Sequence, residues 1–397
     1  MQNKETSKAW KIGSTCVITY IASYYMRNLL GVLTPQMLET GNFTKEWLGL
    51  LSSSYMLFYA IGQLVNGVLG DRFSTKSMIV SGLLITGASS VGFAFSFGTV
   101  LPIICFGLLG YGLSMLRGPM MKMISENTRE KHARVICAFF SSASFIGAFV
   151  AGLFAAIFKW KSAFIAAGAV IFMIAAAAYI VITGLERKNM IIRSSTGRGK
   201  LDILGVFKAD KFLFYIIISM LVEITTTSIN FWIPTYLTEY LGFDKNDANM
   251  IFTVKSILRA ASPFIAIAIY ERIRDEIKII KYSFLVSAVF LIAMLFAKNV
   301  WINILFFFIS LTVSGFAAAV LWSIYIPSLK ATGKVSSANG VIDCSGYIGA
   351  ATANMVFASM ADGMGWDAVI ILWSAIMAVG FMAAVFEQIK IRVSKRS

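Results

Sequence analysis

The sequence predicts an all-α membrane protein of twelve transmembrane helices, arranged as two six-helix bundles related by pseudo-symmetry. Three observations carry this. Of 397 residues, 58% are hydrophobic and only 14% charged, against roughly 45–50% and 25% in soluble domains, and the mean hydropathy is +0.76. Apolar stretches long enough to cross a hydrocarbon core about 30 Å thick recur along the whole chain. The cations sit in short segments between those stretches, mostly on alternate ones.

Apolar runs bounded by charged residues or by Gly, Pro and Asn place the spans at 12–38, 46–70, 77–97, 99–122, 134–158, 162–184, 212–241, 247–270, 279–297, 300–326, 336–361 and 365–387. The first run is preceded by a polar, basic segment. It continues past Arg27 to Leu38 without a small-residue cleavage site, so it is expected to remain as a span and not to be removed as a signal peptide. The longest polar segment, 186–211, carries Arg187, Lys188, Arg193, Arg198, Lys200 and Lys208 and is expected to link a bundle at 1–185 to a bundle at 212–397.

With the N-terminus inside, the cytoplasmic segments hold about 25 Lys and Arg, among them Arg72, Lys76, Arg129, Lys131, Arg134, Arg272, Arg274, Lys330, Lys334, Lys390, Arg392, Lys395 and Arg396. The opposite segments hold Lys45, Lys159, Lys161, Lys245 and Lys298. That asymmetry favours both termini in the cytoplasm and supports an even number of spans; the plasma (inner) membrane is the expected location. A net charge of +15 could signal nucleic acid, but these cations form no single stripe, and no nucleic-acid partner is expected. Cys16, Cys105, Cys137 and Cys344 all lie in apolar stretches and read as packing residues.

The two halves resemble each other. Pro35-Gln-Met-Leu38 followed by Phe43 matches Pro234-Thr-Tyr-Leu237 followed by Phe243. Ser144-Phe-Ile-Gly-Ala148 matches Gly346-Tyr-Ile-Gly-Ala350, with Trp160 and Trp366 beyond. A parallel 6+6 repeat of this kind is a transporter architecture in which substrate binds near the membrane midplane.

After the second span comes Gly67-Val-Leu-Gly-Asp71-Arg72-Phe-Ser-Thr-Lys76, which resembles the loop signature of the major facilitator superfamily. In that short turn Asp71 can cap a helix N-terminus or pair with a cation of a neighbouring helix, so Gly67, Asp71 and Arg72 are candidates for conformational gating. Ala22-Ser-Tyr-Tyr25-Met-Arg27-Asn with Pro35, Trp232-Ile-Pro234, and Ser337-Ala-Asn-Gly340 through Asp362-Gly-Met-Gly-Trp366 resemble the first, seventh and eleventh helices of the organophosphate:phosphate antiporters. That family carries a second arginine in its seventh helix, where this chain has Thr226, and a histidine in its fifth, where it has Ser144. The repeat supports the first assignment independently, because Arg27 lies eight positions before Pro35 and Thr226 eight before Pro234. His132, the single histidine, falls in a cytoplasmic loop.

A charge at the bilayer centre costs at least about 2.5–3.5 kcal/mol, so intramembrane charges mark functional sites. Arg27, Arg117, Lys122, Lys255 and Arg259 are basic, and Glu223 and Asp343 acidic. At 1.5 Å per residue Arg27 lies roughly 24 Å from Lys11, and Arg259 roughly 18 Å from Glu271, both near midplane. Lys122 is nearer the cytoplasm and is expected to snorkel. Lys255 and Arg259, at i and i+4, share one helix face and repel unless an anion lies between or opposite them. In the repeat register they match Tyr55 and Tyr59. A buried ion-pair network with Glu223 and Asp343 is the alternative.

The expected function is alternating-access transport of a small organic anion, a carboxylate or an organophosphate. Arg27, Arg117, Lys255 and Arg259 would attract it and Tyr24, Tyr25 and Tyr347 would donate hydroxyls. Glu223 and Asp343 could titrate and couple the cycle to protons. A proton-coupled carboxylate symporter and a phosphate-linked antiporter both remain open. The resemblance implies a monomer in the lipid bilayer without cofactor. The spans contain no metal-ligand cluster and no catalytic constellation, which argues against a membrane enzyme. A ligand sensor on the same fold needs the same cavity and is the remaining rival.

Overall fold

The computed structural model describes residues 2–191 and 204–394. The linker cations Arg193, Arg198 and Lys200 and the terminal Lys395 and Arg396 lie outside these residues. Twelve helices of 21 to 38 residues run in order: α1 (Gln2–Glu39), α2 (Lys45–Arg72), α3 (Thr75–Phe95), α4 (Val100–Asn127), α5 (Glu130–Ile157), α6 (Trp160–Arg187), α7 (Phe212–Thr235), α8 (Lys245–Ile273), α9 (Glu276–Phe296), α10 (Val300–Val320), α11 (Val335–Met364) and α12 (Trp366–Ser394). Among the described residues, nine of these helices are long and apolar enough to cross a membrane. α1 falls short because Arg27, Asn28 and its tyrosines dilute an otherwise apolar run.

Polar side chains at the helix starts fix the boundaries. Thr44, Ser74, Asp275 and Asn299 each accept a backbone N–H of the first turn of α2, α3, α9 and α10, satisfying donors that have no intrahelical partner. Gly41 and Gly242, each between the matched leucine and phenylalanine of its half, turn the chain with φ of 71° and 75°, values that favour glycine. α7 and α10 are each followed by a π-helical turn, Tyr236–Tyr240 and Leu321–Tyr325. α1 starts ten residues before the expected first span and carries its polar N-terminal segment as helix.

The chain clusters into two compact units, one of Met1–Val206 with Ile326–Cys344 and one of Phe207–Tyr325 with Ser345–Ser397. In the first, α2 and α3 pack on α4, α3 on α6, and α1 on α5; in the second, α8 and α9 pack on α10, and α9 on α12. Three of the pairings therefore recur in the order the sequence repeat requires. Small residues let the backbones approach: a Cβ on Gly147 would stand 2.4 Å from Tyr24 Cβ and 2.7 Å from Tyr25 N. A Cβ on the repeat-related Gly349 would stand 3.1 Å from Ile224 Cγ1, and one on Gly346 2.7 Å from Glu223 Cγ. The matched motifs of α5 and α11 thus seat the same stretch of α1 and α7, and those stretches carry Tyr24, Arg27, Glu223 and Thr226.

Candidate functional site

In the first unit, Arg27 projects from the middle of α1 between two rings, its Cζ 5.8 Å from the Tyr24 centroid and 5.6 Å from that of Tyr59 on α2. Electron-rich faces attract a guanidinium without neutralising it. A cavity of about 390 Å³ opens beside it, lined by Arg27, Asn28, Thr34, Ser52, Tyr55 and Phe106. Tyr24 also meets Tyr20 edge-on at 5.0 Å. Tyr25 is buried against Phe154 at 4.8 Å, and its hydroxyl has no hydrogen-bond partner among the described residues.

Arg117 and Asp343 come together in the same unit although 226 positions apart: Arg117 donates from Nη1 to Asp343 Oδ1 at 2.8 Å. Arg117 is 8% exposed and Asp343 2%. Asn339, one turn earlier on α11, donates to Asp343 Oδ2 at 3.3 Å. Tyr20, Tyr24 and Tyr59 lie close enough to act electrostatically on Arg117, so the Arg27 and Arg117 environments share two tyrosines. A buried pair of this kind is held by mutual need, since either partner alone would be a stranded charge.

In the second unit, the guanidinium of Arg259 on α8 is held by three oxygens. Nη1 donates to Leu311 O at 2.9 Å and Ser314 Oγ at 3.3 Å on α10, and Nη2 to Thr226 Oγ1 at 3.0 Å on α7. Lys255, one turn before, is 3% exposed, and Glu223 acts electrostatically on Arg259. Asp343, offered by the sequence as a counter-charge for Lys255 and Arg259, is engaged instead by Arg117. Tyr347 lies half-buried on α11.

The two arginine centres use the same repeat positions with the cation exchanged between helices. Arg27 of α1 lies over Tyr59 of α2; their equivalents are Thr226 of α7 and Arg259 of α8, and these two also touch. The seventh-helix position without an arginine is therefore occupied by a guanidinium reaching across from α8. Tyr59, Thr226, Ser314 and Asn339 are site neighbours that sequence reasoning did not select. For Tyr59 and Thr226 the signal was present, since the repeat register pairs them with Arg259 and Arg27.

The gating candidates separate. Asp71, at the C-terminal end of α2, accepts the Ser336 N–H at Oδ1 (3.0 Å) and the Ser337 N–H at Oδ2 (2.7 Å), so its carboxylate caps the N-terminus of α11, where the helix dipole favours an anion. Gly67 makes the approach possible, because a Cβ there would stand 3.0 Å from Gly340 Cα and from Ser336 O. Arg72 is exposed. Lys122 does not snorkel: it is 4% exposed, and its Nζ donates to Gly70 O and Asp71 O at 3.2 and 3.0 Å. The last turn of α2 offers carbonyls without intrahelical partners, and these hold the ammonium inside the protein.

Nine helices among the described residues are long and apolar enough to span a bilayer, and Arg117 is buried within one of them, which makes the protein an integral membrane protein. Comparison with known proteins makes this specific. The model of the Major Facilitator Superfamily matches residues 16–280 and 217–395, and the chain belongs to that superfamily. It is 30% identical over 110 residues, 27% of this chain and 24% of the relative, to a probable hexose phosphate transport protein of Chlamydia pneumoniae. It is 25% identical over 388 residues to the phosphoglycerate transporter protein of Salmonella typhimurium (strain LT2), covering 87% of this chain and 82% of the relative. The chain thus spans about a quarter of the first relative's length and most of the second's. Among solved structures, FucP, a Major Facilitator Superfamily transporter in the outward conformation, aligns with a TM-score of 0.74 at 14% identity, over 94% of this chain and 98% of that one.

Proposed function

We propose that the protein is a secondary transporter that carries a small organic anion across the plasma (inner) membrane by alternating access. In this reading all twelve helices span, in two six-helix bundles at 1–185 and 212–397 joined by 186–211, with both termini cytoplasmic and the monomer as the working form. The observation that carries the proposal is the arginine near the middle of a spanning helix in each unit, Arg27 and Arg259, at contacting positions that the internal repeat makes equivalent. Each presents a planar fork suited to a carboxylate or phosphate. Arg27 opens on a cavity that also offers the Ser52 and Thr34 hydroxyls and the Asn28 amide. The names of the two relatives both describe carriers of phosphate esters, which supports an anionic cargo.

Arg117 and Asp343 form the switchable element of the proposal. Protonating Asp343 would break its ion pair with Arg117 and free that guanidinium for the anion, which couples proton uptake to binding. Glu223, Lys255, Tyr24, Tyr25 and Tyr347 complete the set of groups assigned to binding or coupling.

Two measurements test this. A thermal-shift screen of purified protein against sugar phosphates, uronates, dicarboxylates and monocarboxylates identifies the cargo, because a ligand favouring the folded state raises its apparent stability. Counterflow of that labelled ligand in sealed proteoliposomes then shows transport. Binding without counterflow would make the protein a membrane sensor and reject the transporter reading.

A further inference from the structure

Within the first unit, a groove of about 440 Å³ runs between α1 and α6. Its walls are Ile18, Ile174, Ala177 and Val181, and Lys11 and Lys188 stand at one end. The two helices are antiparallel here: α1 enters from Lys11 toward Ile18 while α6 leaves from Ile174 toward Lys188. The cations therefore meet at one mouth and the apolar walls lie deeper. From Ile174 to Lys188 the groove extends about 21 Å at 1.5 Å per residue, close to one leaflet of a bilayer about 40–45 Å thick with its headgroups.

We infer that this groove is a binding site for one anionic phospholipid, its phosphate between Lys11 and Lys188 and an acyl chain along Ile18, Ile174 and Val181. Ala177 and Gly184 leave the space: neither fills the channel that a larger side chain would close. The charge at the mouth is free to act on a headgroup. Among the described residues neither lysine has an acidic partner, and the nearest acids along the chain are engaged elsewhere, Glu186 by Lys76 Nζ at 2.6 Å and Glu5 by Arg129. Lys11 and Lys188 are exposed, where basic groups beside spanning helices attract anionic headgroups. A second groove of similar size, about 400 Å³ between α8 and α10, offers the contrast, since its apolar walls end at Asp247 and Trp301. An acid at the mouth repels the same headgroup.

The site lies apart from every residue assigned to transport, and its occupation does not depend on which leaflet the lysines face. Native mass spectrometry of the full chain, titrated separately with dioleoylphosphatidylglycerol and dioleoylphosphatidylcholine, tests it. The expected result is one tightly held phosphatidylglycerol, bound at least about tenfold more strongly than phosphatidylcholine. Lys11→Gln/Lys188→Gln removes that preference, Ala177→Trp weakens the bound lipid by filling the groove, and Asp247→Asn changes neither. Equal binding of the two lipids, a preference that survives the double lysine substitution, or undiminished binding in Ala177→Trp overturns the inference.

Discussion

Arg27 and Arg259 illustrate how one side-chain chemistry can be delivered from two backbones. Arg27 lies between two aromatic faces and opens on a cavity, whereas Arg259 spends three hydrogen bonds on Leu311, Ser314 and Thr226. The first is the better placed to bind an incoming anion directly. Arg27→Lys keeps the charge but loses the planar fork, so affinity is expected to fall roughly tenfold to a hundredfold, the value of one charge-assisted hydrogen bond. Arg27→Ala should abolish binding in a protein that still elutes and melts normally; a folded alanine variant with unchanged affinity rejects the role. The exchange between α7 and α8 makes a sharper prediction. Arg259→Thr should lose binding, and adding Thr226→Arg, which returns a guanidinium from the equivalent of position 27, should recover it to within about tenfold. A double variant no better than Arg259→Thr would show that the guanidinium is needed for packing on α10 and not for the cargo. The pairing of positions 27 and 226 was legible in the sequence, because both lie eight residues before a proline. The reach of Arg259 to Thr226 was not, since a long side chain crossing between helices follows their spacing and not any periodicity of one.

At the scale of helices, the end of α2 is tied to the start of α11. Asp71 supplies two acceptors to N–H groups that would otherwise have none, Lys122 braces the carbonyls of the same turn, and the facing glycines Gly67 and Gly340 bring the backbones into contact. A Cβ on Gly340 would fall 2.2 Å from Gln63 O, so this approach exists only with glycine there. The motif announced a cap in the sequence, but its target, 265 residues away, follows from tertiary placement. Burial of Lys122 escaped for the same reason: depth along a helix was readable, whereas which carbonyls faced the ammonium was not. Asp71→Asn keeps an acceptor oxygen but loses the charge that the helix dipole favours, a contribution of about 0.3–2 kcal/mol. Turnover in counterflow should therefore drop several-fold while the ligand-induced thermal shift stays nearly unchanged. An equal loss of binding in the folded variant would mean that Asp71 supports the binding site itself.

For the whole molecule, composition and the alternation of cationic segments were enough to define a polytopic helical protein, and the family match agrees with that reading. The placement of charges across the membrane rests on a single physical bias, the retention of Lys and Arg on the cytoplasmic side during insertion. It yields a prediction that no helix assignment alone could make. In a functional variant lacking Cys16, Cys105, Cys137 and Cys344, single cysteines replacing Lys159 or Lys298 should react with a membrane-impermeant maleimide added to intact cells. Cysteines replacing Lys131 or Lys334 should react only after the membrane is opened. Three of the positions lie between helices, Lys159 just before α6, Lys298 between α9 and α10 and Lys334 just before α11, and Lys131 lies in the first turn of α5. An odd number of crossings between Lys159 and Lys298 would put them on opposite sides of the membrane. Labelling of Lys159 outside and Lys298 inside would mean that a helix between them does not cross, and α8, where Lys255 and Arg259 raise the cost of insertion, would be the first to examine. Labelling as expected at all four positions would require an even number of crossings between Lys159 and Lys298, the parity on which two like-oriented six-helix halves depend.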